Sequence, residues 1–323
     1  MMHELIENIF VKHFDNKILR EQTDAAILRL TSTNVAFTTD SFVVDPIFFP
    51  GGDIGKLAVC GTVNDLAVSG ATPLYLSASF IIEEGFPLAD LEKIVLSMKN
   101  EVHKAKISIV TGDTKVVNKG KCDKVFINTS GIGAIQDKNK SIGTGNKIRP
   151  GDKILINGNI GDHGIAVMSA RESFNFHSPV VSDCAPLNFF IQRLLNTSKQ
   201  VRFMRDPTRG GVATVLNELA GKGDFGIEID EASLPVSEGV VGMCEILGFD
   251  PLYIANEGKV IIVAGRRDSD KVLSVMKSSR EGKQSAVIGE IVRDHPGKVV
   301  LKTVTGGKRI IDLLTGEQLP RIC

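Results

Sequence analysis

Residues 50–73 read PGGDIGKLAVCGTVNDLAVSGATP, and the predicted fold is built outward from this stretch. Its Pro-Gly-Gly start breaks the preceding strand, because proline lacks the backbone N–H that a strand needs. Asp53 is suited to cap a helix and Gly70 to end one, so we predict a helix over residues 54–69. A strand over residues 74–82 follows directly.

Helical and extended patterns continue on both sides of this stretch. Apolar residues recur at helical spacing from Leu5 to Phe14, which predicts that the chain opens in an amphipathic helix. A further helix is predicted over residues 88–104. The other strands predicted in this half are residues 26–30, 35–39, 107–111 and 125–128.

The pattern restarts after residues 137–151, whose lysines, scattered glycines and Arg-Pro-Gly end predict a linker. The strands predicted beyond it are residues 154–156, 226–229, 252–255, 260–264, 286–291 and 299–302. The helices predicted beyond it are those ending at Arg171 and Ala220 and those over residues 187–195 and 272–276. Strands occur in adjacent groups as well as alternating with helices, which favours two mixed α+β domains over one doubly wound sheet.

We therefore expect an N-terminal domain over residues 1–145, a C-terminal domain over residues 146–310 and a flexible tail over residues 311–323. The chain of 323 residues is long enough to bury two cores. Cys323 is the last residue, and Pro320 biases the chain before it towards an extended conformation. A thiol on such a tether can enter a cleft, although a terminal cysteine can equally be a frayed end.

Composition excludes several classes of protein. Lysine plus arginine and aspartate plus glutamate each number 38, and this zero net charge argues against general affinity for nucleic acid or anionic membranes. No apolar run approaches the roughly 18 residues of a membrane span, and the N-terminus lacks a signal-peptide pattern. The five cysteines are scattered without a Cys-x-x-Cys pair, so we expect neither a disulfide framework nor a zinc site. We expect a protein of the reducing cytoplasm.

Three aspartates, Asp40, Asp65 and Asp113, are candidate metal ligands. Asp40 and Asp113 follow predicted strands, and Asp65 lies in the helix over residues 54–69. Magnesium prefers hard oxygen ligands and usually shares them with substrate phosphates, so carboxylates from three segments are suited to hold it. The alternative is that each aspartate only caps a helix or stabilises a turn.

Two glycine pairs, Gly51-Gly52 and Gly210-Gly211, precede predicted helices. Such turns let backbone N–H groups approach an anion, and the helix dipole favours negative charge there. Neither is a Walker A loop or a complete Rossmann fingerprint, so a tight packed turn is the alternative. Asp206 and Arg209 share the second turn, and a guanidinium is suited to bidentate phosphate contact. This concentration of polar groups favours a site over a packing role.

Three further residues are candidates. Lys115 follows Asp113 by two residues on an extended segment, so both side chains are expected on one side. Glu257 lies between two predicted strands, where it is either an acidic site residue or part of a hairpin turn. His163 begins a predicted helix, where we expect capping and solvent exposure.

Six short motifs together resemble a known family. Three of them, residues 64–73 (NDLAVSGATP), 111–117 (TGDTKVV) and 206–211 (DPTRGG), are similar to the ATP-binding, PurM-like superfamily of aminoimidazole ribonucleotide synthetase and selenophosphate synthetase. Residues 161–166 (GDHGIA), 256–259 (NEGK) and 320–323 (PRIC) narrow the resemblance to the HypE family of nickel–iron hydrogenase maturation proteins. The likeness runs over nearly the whole chain, and the terminal PRIC is its most specific part.

The resemblance implies an architecture and a reaction. The N-terminal sheet would pair with that of a second subunit in a barrel-like homodimer, followed by a C-terminal α/β domain and a flexible tail. A HypF-like carbamoyltransferase would load a carbamoyl group on the Cys323 thiol, and ATP would drive its dehydration to a thiocyanate. A HypC–HypD-like complex would then receive the cyano group for the iron of the hydrogenase.

The resemblance also implies roles for single residues. An amide oxygen is a very poor leaving group until ATP phosphorylates it, and a base must remove the amide protons. Asp40, Asp65 and Asp113 would hold Mg²⁺ on the phosphates, Glu257 would be the base, and Lys115 would stabilise the oxyanion or the transferred phosphoryl group. The nucleotide-binding residues implied are Asp40, Asn64, Asp65, Gly112, Asp113, Asp206, Arg209, Gly210 and Gly211.

One departure and two rival functions remain. Family members normally carry a His-Gly-x-Gly-Gly segment before the first helix, whereas this sequence starts inside that helix, and we expect poorer ordering of the nucleotide as a result. A small-molecule kinase or synthetase of the same superfamily would not need Cys323. A nucleotide-regulated scaffold without chemistry would leave a carbamoylated tail unchanged in the presence of ATP.

Overall fold

The computed structural model describes residues 2–21, 25–30, 34–171, 179–314 and 322. Its strands form two large sheets and a two-stranded ribbon. The strands are β1 (Val35–Phe42), β2 (Phe48–Phe49), β3 (Gly52–Asp53), β4 (Ala71–Glu83), β5 (Ser108–Val117), β6 (Val125–Ile135), β7 (Lys153–Ile156), β8 (Val201–Arg205), β9 (Gly226–Asp230), β10 (Ile261–Ala264), β11 (Ala286–Val292), β12 (Val299–Lys302) and β13 (Lys308–Ile311). The α-helices are α1 (Met2–Leu5), α2 (Lys12–Phe14), α3 (Ile54–Val68), α4 (Leu88–Ala105), α5 (Asp162–Ser169), α6 (Asn188–Thr197), α7 (Gly211–Ala220), α8 (Glu238–Leu247) and α9 (Ser269–Lys277).

The first sheet has the strand order β1-β6-β4-β5. Strands β4 and β5 run parallel, and the other two pairs are antiparallel. One face packs on α3 and α4 around buried side chains such as Phe80 and Ile127. The opposite face leaves Phe37 and Ile81 exposed, at 69% and 43%. The sheet therefore has one core face and one open, partly apolar face.

Helix α3 forms as the sequence predicts. The Asp53 carboxylate accepts the N–H groups of Gly55 and Lys56 at 2.7 and 3.0 Å, and Gly70 follows the helix with φ of 92°, which ends it. Almost every side chain of α3 is buried, because the helix lies between the first sheet, α4 and α6. Asp53 occupies the first N–H groups of the helix, so the Gly51-Gly52 turn does not offer them to an anion.

The second sheet has the strand order β13-β12-β9-β11-β7-β10-β8. Helix α7 packs on one face, and α6 and α9 pack on the other. Strand β7 shows why both faces are apolar: Ile154 and Ile156 belong to the α7 core, and Leu155 belongs to the opposite core. The two sheets lie on either side of the expected boundary at residue 145. The predicted mixed α/β architecture of two domains is confirmed.

Several local predictions were wrong. Residues 26–30 form no strand, and a 3₁₀ turn, Pro251–Tyr253, stands where the sequence predicts the strand 252–255. Strands β1 and β5 are longer than predicted, so Asp40 and Asp113 lie inside strands and not after them. Glycine and aspartate have low strand propensity, but pairing with the neighbouring strands overrides it.

Neither disulfides nor membrane spans shape the described part of the chain. Cys60, Cys122, Cys184 and Cys244 are buried free thiols. Across the described ranges, no helix combines the length and apolarity needed to cross a bilayer.

Asn64 of α3 joins the two domains. Its Nδ2 donates to the carbonyl oxygens of Ala185 and Glu257, both at 3.1 Å, and its Oδ1 accepts the N–H of Leu187 at 2.8 Å. The residue is 1% exposed, and both amide protons are used. The sequence predicts a nucleotide contact for Asn64, whereas the structure directs its amide to protein backbone, where it holds the main chain of Glu257.

Replacing Asn64 with alanine should destabilise the protein by about 2–4 kcal/mol, because buried carbonyl and N–H groups lose their partners. Urea denaturation followed by circular dichroism measures the loss. Asn196, which is exposed on α6, provides the matched control, and Asn196→Ala should lie within about 0.5 kcal/mol of wild type. Equal stability of the two variants would contradict the role assigned to Asn64.

Candidate functional site

Four carboxyl groups interact where the first sheet and α3 meet the second domain: Asp40, Asp65, Asp206 and Glu257. Asp40 points from β1 towards α3, and Asp65 lies on α3 and accepts the Thr38 hydroxyl at 2.9 Å. Asp206 follows β8 directly, and three residues separate Glu257 from the start of β10. Two segments from each domain thus contribute acids to one region.

Burial and mutual repulsion raise the pKa values of this cluster. Burial raises the pKa of Asp40, although the positive charge of Arg209 opposes the rise. Burial is also the main cause for Asp65, to which the charge of Asp40 adds. The pKa of Asp206 rises to about 7, chiefly through burial and then through Asp65. Burial, followed by Cys184 and Asp206, raises the pKa of Glu257 well above its ordinary value.

The donor set fits a hard divalent cation, since it consists of carboxylate oxygens whose negative charge is only partly compensated. Within the described ranges, no three metal-ligating side chains already converge on one point. A cation held by Asp40 and Asp65 would therefore complete its coordination with water or phosphate oxygens, which is the usual habit of Mg²⁺.

Positive charge and a turn that requires glycine border the acids. The positive charge of Arg205 opposes the rise in the pKa of Asp65 and of Asp206. Arg205 also forms an ion pair with Glu218. Gly210 and Gly211 have φ of 72° and 60°, and a Cβ on Gly211 would lie 2.6 Å from backbone carbonyl oxygens, so only glycine fits. The turn presents an exposed arginine at the start of α7, an arrangement suited to a phosphate group.

Asp113 and Lys115 do not join this cluster within one subunit. Strand pairing places four residues in one row across the sheet: Asp40, Thr129, Ala78 and Gly112. Paired residues point to the same face and successive residues to opposite faces, so Asp113 and Lys115 lie on the open face, away from Asp40. Both are exposed, with Lys115 Nζ and Asp113 Oδ2 at 3.5 Å. The predicted convergence of Asp40, Asp65 and Asp113 is absent from the described part of a single subunit.

Glu257 combines a fixed backbone with an available carboxyl group. The residue is 3% exposed, its N–H donates to Asp183 Oδ1 at 3.1 Å, and its carbonyl oxygen accepts from Asn64. Its Oε1 has no hydrogen-bond partner among the described residues. The predicted alternative of a hairpin turn is wrong, because no strand precedes it. A buried, unpartnered carboxyl oxygen on a rigid backbone suits a general base.

The tail enters this region. Ile322 is 4% exposed and belongs to the same core as Val167, Cys184 and Ala255. Its carbonyl oxygen lies 2.9 Å from His163 Nε2. Cys323, the predicted reactive residue, lies outside the described residues, but it is joined to Ile322 by a peptide bond.

His163 differs from the expectation drawn from the sequence, and two residues near it were not predicted. His163 is fully buried, contrary to the exposed cap expected from its place at the start of α5. Ser182 and Asp183 are also buried and bond to it and to the Glu257 backbone, respectively. The available signal was weak: residues 182–184 form a polar triplet just before an apolar helix, a pattern that also describes an ordinary loop.

A separate polar cleft of about 850 Å³ opens beside the same loop. It is bordered by the buried pair Asp183 and Lys259 and by basic side chains including Lys56, Arg193 and Lys283. Among the described residues, none that the sequence predicts to form the site lines this cleft. The acidic cluster and Ile322 are therefore not part of its lining.

Two family models match this chain, one over each of its two domains. Residues 22–135 match the family described as AIR synthase related protein, N-terminal domain, and residues 149–302 match its C-terminal domain. The carbamoyl dehydratase HypE of Cupriavidus necator is 48% identical over 321 residues, which are 99% of this chain and 91% of that protein.

Solved structures agree with the sequence comparison. The crystal structure of hydrogenase maturation protein HypE in complex with ATP has a TM-score of 0.94 and 47% identity, covering 100% of this chain and 96% of that one. The crystal structure of a HypE–HypF complex contains a chain with a TM-score of 0.83 and 51% identity, covering 96% of this chain and 99% of that one. The resemblance inferred from the six motifs is confirmed.

Replacing Asp206 with asparagine should remove a pH dependence of stability. The pKa of Asp206 is about 7 in the fold against 3.8 ordinarily, so its ionisation destabilises the fold as pH rises from about 4 to about 7. We expect Asp206→Asn to raise the melting temperature by several degrees at pH 8 and far less at pH 5. Added Mg²⁺ should stabilise the wild type at pH 8 more than the variant. The exposed Asp224 supplies the control, and a gain for Asp224→Asn equal to that for Asp206→Asn would contradict the cluster.

Proposed function

The chain belongs to the HypE family of AIR-synthase-related carbamoyl dehydratases, and we propose that it uses ATP to dehydrate a carbamoyl group carried on its own Cys323. The thiocyanate formed would supply cyanide to the iron of a nickel–iron hydrogenase. The observation that carries this proposal is the burial of Ile322 beside His163, because it brings the last peptide bond of the chain into the protein interior.

The reaction is a net loss of water driven by ATP. The carbamoyl oxygen attacks the γ-phosphorus and ADP leaves, so the poor leaving group becomes a phosphate ester. Two N–H protons are then lost while the C–O bond breaks, which yields the S–C≡N group and inorganic phosphate. The oxygen of the carbamoyl group ends in the phosphate, and no oxidant or reductant is required.

Glu257 is proposed as the base for the N–H protons. A carboxylate with a raised pKa binds a proton more strongly than an ordinary one, and its burial keeps competing water away. The rigid backbone contacts to Asn64 and Asp183 hold it in place. Lys115 is proposed to stabilise the oxyanion or the transferred phosphoryl group.

Asp40 and Asp65 are proposed to hold Mg²⁺, with Asp113 as a further ligand. Bound there, Mg²⁺ would neutralise phosphate charge and orient the γ-phosphoryl group. Arg209 would contact phosphate oxygens, and the positive end of the α7 dipole at the Gly210-Gly211 turn would favour their negative charge. Asp206 adds negative charge that favours retention of the cation.

A homodimer is proposed to complete the site. The open face of the first sheet exposes Val35, Phe37 and Ile81, and β1 and β5 are its unpaired edges among the described strands. Pairing two such sheets in a barrel-like dimer brings β5 of one subunit next to β1 of the other. Asp113 and Lys115 would then lie beside β1 of the partner subunit, and we propose that they reach its acidic cluster from that edge.

Partners and compartment follow from the tail chemistry. We propose that a HypF-like carbamoyltransferase loads Cys323 while the tail is outside, and that a HypC–HypD-like complex accepts the cyano group. The cytoplasm is the proposed compartment, because the reaction needs ATP and a reduced thiol. The buried free thiols support a reducing environment. A kinase of the same superfamily acting on a small molecule would have no use for a docked Ile322.

Cys323→Ala should leave ATP binding intact and abolish product, and Glu257→Gln should slow dehydration by about 100-fold or more through loss of the base. Mass spectrometry of the C-terminal peptide, after carbamoylation and addition of ATP, measures the loss of one water. The exposed Glu245 gives the control Glu245→Gln, which should react like wild type. A carbamoyl mass that persists in the wild type would support the scaffold alternative, and ATP turnover on a diffusible substrate by Cys323→Ala would support the kinase.

Mixing two inactive variants tests the composite site. Asp40→Asn and Asp113→Asn homodimers should both lose most activity, whereas their heterodimer should regain about half of the wild-type rate. One of its two sites would combine a native Asp40 with a native Asp113 from the other subunit. Differently tagged subunits allow the heterodimer to be purified and its ATP-dependent water loss measured. No recovery in the heterodimer would place both aspartates in the site of one subunit and overturn the dimer proposal.

A further inference from the structure

The histidine beside the tail is unusual in its surroundings. His163 is fully buried, its ring packs edge-on against Phe49 with centroids 5.4 Å apart, and both ring nitrogens have hydrogen-bond partners. A buried histidine can serve packing alone. Here, however, one of its two partners is a main-chain atom 159 positions away, in the tail that carries the reactive cysteine.

The hydrogen-bond partners fix which nitrogen carries the proton. The carbonyl oxygen of Ile322 can only accept, so His163 Nε2, at 2.9 Å, must donate. A neutral imidazole has one N–H, and Nδ1 therefore accepts the Ser182 hydroxyl proton at 2.8 Å. The Ser182 oxygen in turn accepts the N–H of Cys184 at 3.1 Å, which leaves its proton free for the ring. Burial lowers the pKa of His163, which agrees with the neutral form.

We propose that His163, oriented by Ser182, is the positioning residue that seats the tail for reaction. Its Nε2–H holds the carbonyl group of the peptide bond that joins Ile322 to Cys323. A trans peptide places the Cα atoms of these two residues about 3.8 Å apart, so the contact limits where the thiol can go. We call this contact between His163 Nε2 and the Ile322 carbonyl oxygen the tail clamp. It binds a main-chain atom, and burial of the Ile322 side chain adds apolar contact. This inference rests on the proposed function, in which Cys323 carries the substrate.

The same loop connects the seated tail to the proposed base. Asp183 lies between Ser182 and Cys184, and its carboxylate accepts the N–H groups of Glu257 and Gly258 at 3.1 and 3.0 Å. A Cβ at Gly258 would come within 1.9 Å of the Asp183 carbonyl oxygen, so the two chains lie in direct contact. Within this segment, the Ser182 side chain therefore binds His163, and the Asp183 side chain binds the backbone of Glu257.

The test is the accessibility of Cys323 to a maleimide, in the full-length protein without ATP. Mass spectrometry of the C-terminal peptide separates this thiol from the buried cysteines. His163→Phe keeps an aromatic ring against Phe49 but removes both hydrogen bonds, and we expect labelling to accelerate about 5- to 10-fold. His163→Gln keeps an N–H donor of similar reach, and we expect a labelling rate within about 2-fold of wild type.

A second measurement separates positioning from a purely structural role. We expect His163→Phe to lower the melting temperature more in the full-length protein than in a chain ending at Gln318, because only the former contains the contact. Labelling of His163→Phe at the wild-type rate, or an equal melting-temperature loss with and without the tail, would overturn the clamp. Labelling of His163→Gln as fast as His163→Phe would overturn it as well.

The outcome is independent of the proposed chemistry. Labelling requires neither carbamoylation nor ATP. If labelling of the variants follows the expectation but the carbamoylated tail never loses water, the dehydratase proposal is wrong and the contact between His163 and Ile322 is still supported. If dehydration does occur, its single-turnover rate should fall in His163→Phe and recover in His163→Gln. An unchanged rate in His163→Phe would show that the contact does not position the reacting thiol.

Discussion

The geometry of the candidate site depends first on the buried carboxylate of Asp183. Asp183 is almost fully enclosed, and burial alone would raise its pKa, but the ammonium group of Lys259, at 2.9 Å, lowers the pKa on balance. The same carboxylate accepts two backbone N–H groups from the segment that carries Glu257. A buried charge is tolerated only when it is paired and hydrogen-bonded in this way. Asp183 therefore stays ionised and structural, and it fixes the backbone around it.

Glu257, close to Asp183, has the opposite environment. One of its carboxyl oxygens has no partner in the described part of the chain, and burial together with neighbouring acids raises its pKa. The pKa of Asp183 is thus lowered, whereas that of Glu257 is raised, although the two residues are in contact. Such a difference is typical of sites in which one carboxyl group holds the structure and another takes part in the reaction. The repulsion within the wider acidic cluster has a second consequence, since a cation bound there, as proposed, would relieve it.

The first sheet does not bring Asp113 to the acidic cluster. Its two faces separate Asp40 from Asp113, and its edges β1 and β5 lie on opposite sides. In the proposed dimer, β1 of one subunit would meet β5 of the other, and the exposed apolar side chains of the open face would give that association a driving force. The tail imposes a different requirement. A carbonyl held by His163 must be released before another enzyme can load the thiol, so the clamp has to be strong enough to seat the tail and weak enough to free it.

Local signals in the sequence determined a large share of this protein. The cap Asp53 and the stop Gly70 defined α3, apolar spacing defined α4, and the short motifs identified the family. Wrong predictions arose where contacts between residues far apart in sequence decide the local structure. The low strand propensity of Gly112 and Asp113 hid their place inside β5, and the face on which Asp113 lies depends on register, since a shift of one residue reverses every side chain.

Tertiary structure alone decided the rest. It showed that Asn64 engages backbone, that Asp183 supports Glu257, and that His163 is buried against the tail and not exposed as a cap. Capping and periodicity are properties of neighbouring residues and can be read along the chain. Burial, pKa shifts and the contact between His163 and Ile322 depend on groups far apart in sequence, which only packing brings together.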